Sequence, residues 1–317
     1  MELFQASSQW ATRPNDERFE SLTDAYTSTL SYYQAAKTSR VLHSDLRVEA
    51  NEADLRLVSQ KTGTYADLSN WAFSQLAQTA KAPAAYLRGL PPTLAAQNLN
   101  HGLKHTPRAE SRMLLHPRNG DGMLVRSFNG LGYTRFWNHE VFERLQRLPE
   151  DVWKVPPAIG DQPSGIYASD RDMFVFMVDG EHRIKDGTED GLGRGFFLWN
   201  SEVGDKSLGG MTFLYRYVCA NHIVWGAESV MEFAMRHTKS VRARARGQFR
   251  TLAGRLEEVS AESAHEIESR IEARQRLEIG PDKASVIDGL FSRGVASKDQ
   301  AEKAYLERSL DTASLRA

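Results

Sequence analysis

The sequence predicts an α+β protein, and three observations carry that expectation. Residues 1–117 hold few glycines and place apolar residues at helical spacing. Residues 118–256 gather β-branched and aromatic residues into short runs bounded by turn formers. Residues 257–317 return to helical periodicity with their charges segregated. The expected order is a mainly helical N-terminal region, a β-rich core that ends in a long basic helix, and an acidic helical C-terminal region. The core is expected to be built on a central antiparallel sheet.

The elements follow in chain order. Val41, Leu42, Leu46 and Val48 alternate with polar residues across 39–50, a pattern that suits strand or helix. Leu68, Trp71 and Leu76 fall near one helical face within 67–77. Pro83 suits the first turn of a further helix, which Gly89 and Pro91-Pro92 end. Leu94 to Leu103 reads as another, closed near Gly102. In the core, Met123 to Phe128, Asn129-Gly130 and Leu131 to Phe136 spell a β-hairpin, because Asn-Gly supplies the positive φ angles of a tight primed turn. Asn138 is placed to cap a helix from His139 to Leu148. Met173 to Val178 is apolar on both faces, as a strand at the centre of a sheet must be. Phe196 to Asn200 and Met211 to Trp225 give two more strands, and 186–195 is a glycine-rich polar connector. Pro281 opens a short helix that Gly294 closes, and Ser297-Lys298-Asp299-Gln300 has the form of a capping box.

Composition narrows the function classes. In 317 residues, 40 basic and 41 acidic side chains leave a net charge of -1, which excludes a uniformly basic nucleic-acid coat. With 41% hydrophobic and 26% charged residues the chain reads as folded, not disordered. The single cysteine, Cys219, excludes an intramolecular disulfide framework and a cysteine zinc finger. Met1 to Gln5 carry no secretory pattern, and no apolar run approaches the roughly 18 residues of a membrane helix, so a cytoplasmic setting is expected.

Enzyme signatures are scarce. The sequence holds no Walker phosphate loop, no His-Glu-x-x-His and no Gly-x-Ser-x-Gly. Gly191 to Gly195 precedes a strand instead of a helix, so no helix N-terminus is offered to a phosphate. The calcium-like stretch from Asp186 has Phe197 where the bidentate Glu belongs. Cys219 and His222, three apart on an expected strand, point to opposite faces. No cofactor is implied. Asp170, Asp172, Glu202 and His222 form the one candidate set for a divalent cation or acid–base chemistry, against a plain reading as solvated or structural polar groups. The polar loop from Asn200 to Ser207 interrupts two apolar strands, and is either a hairpin loop or a ligand contact.

The basic helix is the most informative feature. Arg236, Lys239, Arg242, Arg244, Arg246, Arg250 and Arg255 occur with no acid among them, and Glu257 to Glu278 then reverse the sign. Val241, Ala245, Phe249, Leu252, Leu256 and Val259 mark a buried stripe. Arg242, Arg246 and Arg250 lie one position on, about 100° around the helix, and Lys239 extends their row. The row suits backbone phosphates; the plainer alternative pairs it with the acidic segment. Arg216 and Tyr217, with Tyr215 and Trp225, are weaker candidates for a stacking and phosphate surface on the neighbouring strand.

The stretch Gly195-Phe196-Phe197-Leu198-Trp199-Asn200-Ser201-Glu202-Val203-Gly204, continuing to Phe213 through Gly226, closely resembles the signature of an uncharacterised family of phage and plasmid proteins, bacterial domain of unknown function nine-three-two. Phe73 to Ala77 with Ala82 to Leu87, Val125 to Phe128 with Tyr133 to Trp137, Ser169 to Asp172 and Arg236-His237 fit the same family. The resemblance implies a mobile element in a bacterial cytoplasm and supplies no reaction. The order of hairpin, strands and basic helix is loosely similar to Rad52-like and RecT-like single-strand annealing proteins, an architectural analogy. The expectation is therefore a protein that binds and anneals single-stranded DNA as a homo-oligomer, without nucleotide hydrolysis. The alternatives are a metal-dependent enzyme on nucleic acid or nucleotide, and an inhibitor of host defence acting by protein contact.

Overall fold

The computed structural model describes residues 13–51, 54–105, 109–118, 122–155, 165–181, 192–216, 231–258, 269, 282–292 and 297–302. The chain divides into two units, one of residues 1–183 with 188–258 and one of 184–187 with 259–317.

The first unit opens with helix α1 (Leu22–Ala35), started by Ser21, whose Oγ accepts the Asp24 amide at 3.0 Å. A mixed sheet follows, built from β1 (Lys37–Leu42), β2 (Leu46–Asn51), β3 (Asp54–Ser59), β4 (Tyr65–Leu68), β5 (Glu110–Pro117) and β6 (Met123–Asn129). Its order is β1-β5-β6-β4-β3-β2, with only β4 and β6 parallel. Helices α2 (Asn70–Thr79), α3 (Ala84–Arg88) and α4 (Pro92–Lys104) lie between β4 and β5 in sequence. Phe73, Leu76, Leu87, Leu99 and Leu103 on these helices bury against Leu46, Val48, Leu57 and Val125 of the strands. Gly102 does not close α4; a Cβ there would stand 2.1 Å from the Ala80 carbonyl oxygen, so glycine is what lets α4 close on the end of α2. Asn100 covers the free edge of β2 like a missing strand, accepting the Val48 amide and donating to the Val48 carbonyl, both at 2.8 Å.

Residues 1–117 hold more helix than strand, but they also supply five of the six strands of this sheet. Their polar positions hide the strand pattern. Glu49 and Arg56 sit directly opposite across β2 and β3 and pair at 3.7 Å, so charge occupies the outward face where β-branched residues would have signalled a strand.

The hairpin expected at 123–136 does not form. β6 runs as foreseen to Asn129, but it pairs with β5 and β4, and Gly130 stays out of the left-handed region. Residues 131–137 instead cross to the second sheet. The Tyr133 amide closes a turn on the Gly130 carbonyl at 3.0 Å, and the Thr134 amide bonds the His237 carbonyl at 2.9 Å. Arg135 and Phe136 are then buried, the first in a polar cluster and the second in the other core, and both are lost to a hairpin.

The second sheet is antiparallel. It contains β7 (Trp153–Lys154), β8 (Ile166–Ala168), β9 (Met173–Asp179), β10 (Leu192–Asn200), β11 (Leu208–Arg216) and β12 (Met231–Met235), in the order β12-β11-β10-β9-β7 with β8 on β9. β9 is buried along its whole length, as its apolar run requires. β10 reaches back to Leu192 and takes in part of the glycine-rich connector, whose residues 186–191 lie outside the described residues. Helices α5 (Asn138–Leu145) and α6 (Val241–Glu258) cover one face, joining Phe136, Val141, Phe142, Phe249 and Leu252 to Val175, Phe196 and Leu198. Trp199 sits opposite Gly209, where a Cβ would fall 2.3 Å from its ring, so the indole occupies the space a side chain would need.

In the second unit, α7 (Lys283–Ser292) is capped by Asp282, whose Oδ1 accepts the Ser285 amide at 2.8 Å. The capping box forms as read: the Ser297 amide donates to Gln300 Oε1 at 3.0 Å and the Gln300 amide to Ser297 Oγ at 3.3 Å. Pro281, Gly294 and most of the acidic segment lie outside the described residues. The fold is α+β, with two six-stranded sheets in place of one central sheet. No described helix is long and apolar enough to cross a membrane.

Candidate functional site

Helix α6 builds two faces from one periodicity. Val241, Ala245, Phe249 and Leu252 are buried at 0–8% exposure. Arg242, Arg246 and Arg250, one position on, are exposed, as is Lys239 before the first turn. The buried stripe therefore aims the basic row outward. The cations are not equivalent. Arg242 Nη1 pairs with Glu140 Oε1 on α5 at 3.0 Å, and its Nη2 reaches the Arg135 carbonyl at 3.4 Å. Arg244 folds back on the Arg236 carbonyl and Thr238 Oγ1, both at 3.1 Å, and staples the turn that opens the helix. Arg246, Arg250 and Lys239 make no ion pair among the described residues. Arg144 of α5 adds a cation that sequence reasoning missed. Its guanidinium lies over Phe136 and Phe249 at 5.2 and 5.5 Å from the ring centroids. Burial lowers its pKa, and Arg147 and Arg246 lower it further against the pull of Glu140 and Glu143. Positive charge from two helices is therefore crowded on one face.

The neighbouring strand offers less. Arg216 ends β11 opposite Leu192, and Tyr215 sits opposite Gly193. Tyr217 and Trp225 lie outside the described residues, as do His222 and Cys219.

The loop after β10 turns inward. Glu202 is 3% exposed; its Oε2 takes Arg126 Nη1 at 2.9 Å, its Oε1 the Asn138 amide at 2.9 Å, and its carbonyl Arg135 Nε at 2.7 Å. The Val203 carbonyl accepts from Trp71 Nε1, Gln75 Nε2 and Asn129 Nδ2 at 3.0, 3.1 and 2.9 Å. Ser201 Oγ donates to the Arg171 carbonyl at 2.7 Å and accepts the Gly204 and Asp205 amides. Gly204 has φ +89°, and a Cβ would stand 3.0 Å from Asn129 Nδ2. These bonds tie α2 and β6 of the first sheet to β10 of the second. The loop is a cross-brace.

The acids are likewise spoken for. Asp172 is buried, and Lys206 at 2.6 Å and Arg13 at 3.1 Å hold it. Burial raises its pKa, but Lys206, Arg13 and Ser169 pull it below the ordinary carboxylate value. Asp170 is exposed, and its carbonyl accepts Arg126 Nη2 at 2.7 Å. Asp170, Asp172 and Glu202 thus come to one region, but the two buried ones already hold cations. Among the described residues no group of three His, Cys, Asp or Glu side chains is arranged to hold a metal.

Two consecutive tyrosines at the end of α1 were also missed. Tyr32 stacks on His116 at 3.6 Å with Arg126 over it at 4.7 Å. Tyr33, 40% exposed, meets Trp137 at 4.7 Å and His139 at 4.5 Å. The only local signal was the Tyr32-Tyr33 pair itself, because Trp137 and His139 lie far along the chain. His237, which precedes α6, is 7% exposed; it stacks on Tyr133 at 5.0 Å, and burial pushes its pKa down to about 4.

A family model described as a domain of unknown function, DUF932, matches residues 127–304, more than half of the 317 residues. The match takes in β10, the cross-brace loop and α6. No curated protein and no solved structure matches the chain. The chain belongs to the DUF932 family.

Proposed function

We propose that this member of a family of unknown function is a DNA-binding protein of the kind mobile elements encode. In this reading it binds single-stranded DNA along helix α6 and anneals it, as a homo-oligomer and without nucleotide hydrolysis. The observation that carries the reading is the basic row. Arg246, Arg250 and Lys239 stand exposed and unpaired among the described residues, on a helix whose apolar stripe is fixed in the core. Such a row neutralises backbone phosphates while leaving bases free. The likeness to Rad52-like and RecT-like annealing proteins enters as analogy alone.

The structure sharpens the numerical expectation. Three cations unpaired among the described residues give a log–log salt slope of about -2 for a single strand, and recruitment of Arg242 from Glu140 gives about -3. The test is binding of a fluorescent single-stranded oligonucleotide across a salt titration, with the duplex beside it. Salt-sensitive binding that prefers the single strand supports the reading, and faster pairing of complementary strands supports annealing. No binding to either form at low salt overturns it and leaves the row as a protein-contact surface.

A further inference from the structure

We infer that Tyr33, Trp137 and His139 form a base-stacking platform at the N-terminal end of the α6 row, so that the polymer it takes is recognised through its bases as well as its charge. The inference rests on the proposed function and adds the part of the site that reads unstacked bases.

One carboxylate joins the platform to the row. Glu140 Oε2 accepts the Trp137 amide at 2.9 Å, while its Oε1 holds Arg242 Nη1 at 3.0 Å. Arg242 also reaches the carbonyl of Arg135, whose own guanidinium lies 5.2 Å from the Trp137 ring. Glu140 therefore holds the Trp137 backbone, and the indole, beside the buried Arg135 guanidinium, sits one side chain away from Arg242. Tyr33 meets this indole at 65°, edge to face, and His139 at 34°. Arg135 lies over the Trp137 ring, and Tyr33, the most exposed of the three rings, keeps 40% of its surface open to water. His139 Nδ1 is buried without a partner, and burial depresses the ring's pKa, so it is a neutral ring near pH 7. Aromatic rings beside a cationic track are what sequence-tolerant binding of a single strand requires.

The test uses the full chain and two probes of equal length and charge, an oligothymidylate and an abasic oligodeoxyribose phosphate, at one salt concentration. The oligothymidylate should bind about five- to a hundredfold more tightly, the range spanned by stacking one base. Tyr33→Ala should remove most of that advantage and leave abasic binding unchanged, which also shows that the variant is folded; Tyr33→Phe should restore it. Equal binding of the two probes, or no effect of Tyr33→Ala, overturns the platform while the phosphate row stands. Binding of neither probe overturns the proposed function and the platform with it.

Discussion

Arg126–Glu202 and Arg242–Glu140 are arginine–glutamate pairs of nearly equal length, and only the first is buried. Arg126 and Glu202 meet at 2.9 Å with side-chain exposures of 1% and 4%; Arg242 and Glu140 meet at 3.0 Å with 53% and 15%. In the first, the surrounding hydrogen bonds of Asn138, Arg135 and the Asp170 carbonyl leave each charge dependent on the other. In the second, water competes with the partner, and the pair can open without stranding a charge in the interior. Bond length alone does not separate a buried brace from a surface pair that water can open; burial does.

The largest effect is expected from breaking the brace. Arg126→Met strands the Glu202 carboxylate in the interior and should cost about 3–5 kcal/mol, read as a lowered urea midpoint. If stability changes by less than about 1 kcal/mol, the buried pair is not what joins the sheets.

Next is a pH effect beside the same cluster. The folded His237 holds its pKa near 4, against an ordinary value of 6.5. Between those values the unfolded chain binds a proton that the folded one refuses. Stability must therefore fall as pH drops from 6.5 towards 4, by about 3 kcal/mol at most, and level off below. His237→Phe keeps the ring on Tyr133 without titrating. It should be more stable than the parent at pH 4.5 and closer to it at pH 7, measured by denaturant unfolding at both.

The exposed side of the comparison predicts function lost without stability. Arg246→Glu with Arg250→Glu should shift unfolding by about 0.5 kcal/mol or less while abolishing oligonucleotide binding in a mobility-shift assay. The smallest effect sharpens the contrast. Glu140→Gln retains an acceptor for the Trp137 amide but releases Arg242, so stability should change by about 1 kcal/mol or less and the salt slope should steepen by about 0.7. A collapse in stability there would place the Arg242 pair with the structural one.

Much of the scaffold was legible because it is local. The β9 run, the strand at 196–200, the start of β6, the capping box at Ser297 and the buried stripe from Val241 to Leu252 each follow from a period or a cap within a few residues. What misled was equally local. Asn129-Gly130 is a hairpin signal, but Arg135 and Phe136 have better places to go than a second strand. The polar loop at Asn200 looked like a ligand contact because sequence shows hydrogen-bonding groups and not their partners, which here are Arg126, Asn129, Trp71 and Gln75 of the other sheet.

By itself, the sequence determined that α6 has a buried face and a basic face, because helical period is a property of the backbone and carries both faces wherever the helix goes. Only the tertiary structure decided which cations on that face are paired among the described residues. Arg242 is matched by a glutamate 102 residues away, and Arg246 gains Arg144 as a like-charged neighbour from the same helix. It also brought Tyr33 from the end of one helix to Trp137 at the start of another. Such meetings depend on how cores pack, and the Coulomb and stacking energies that make a site fall off within a few ångströms, a distance that spacing along the chain does not encode.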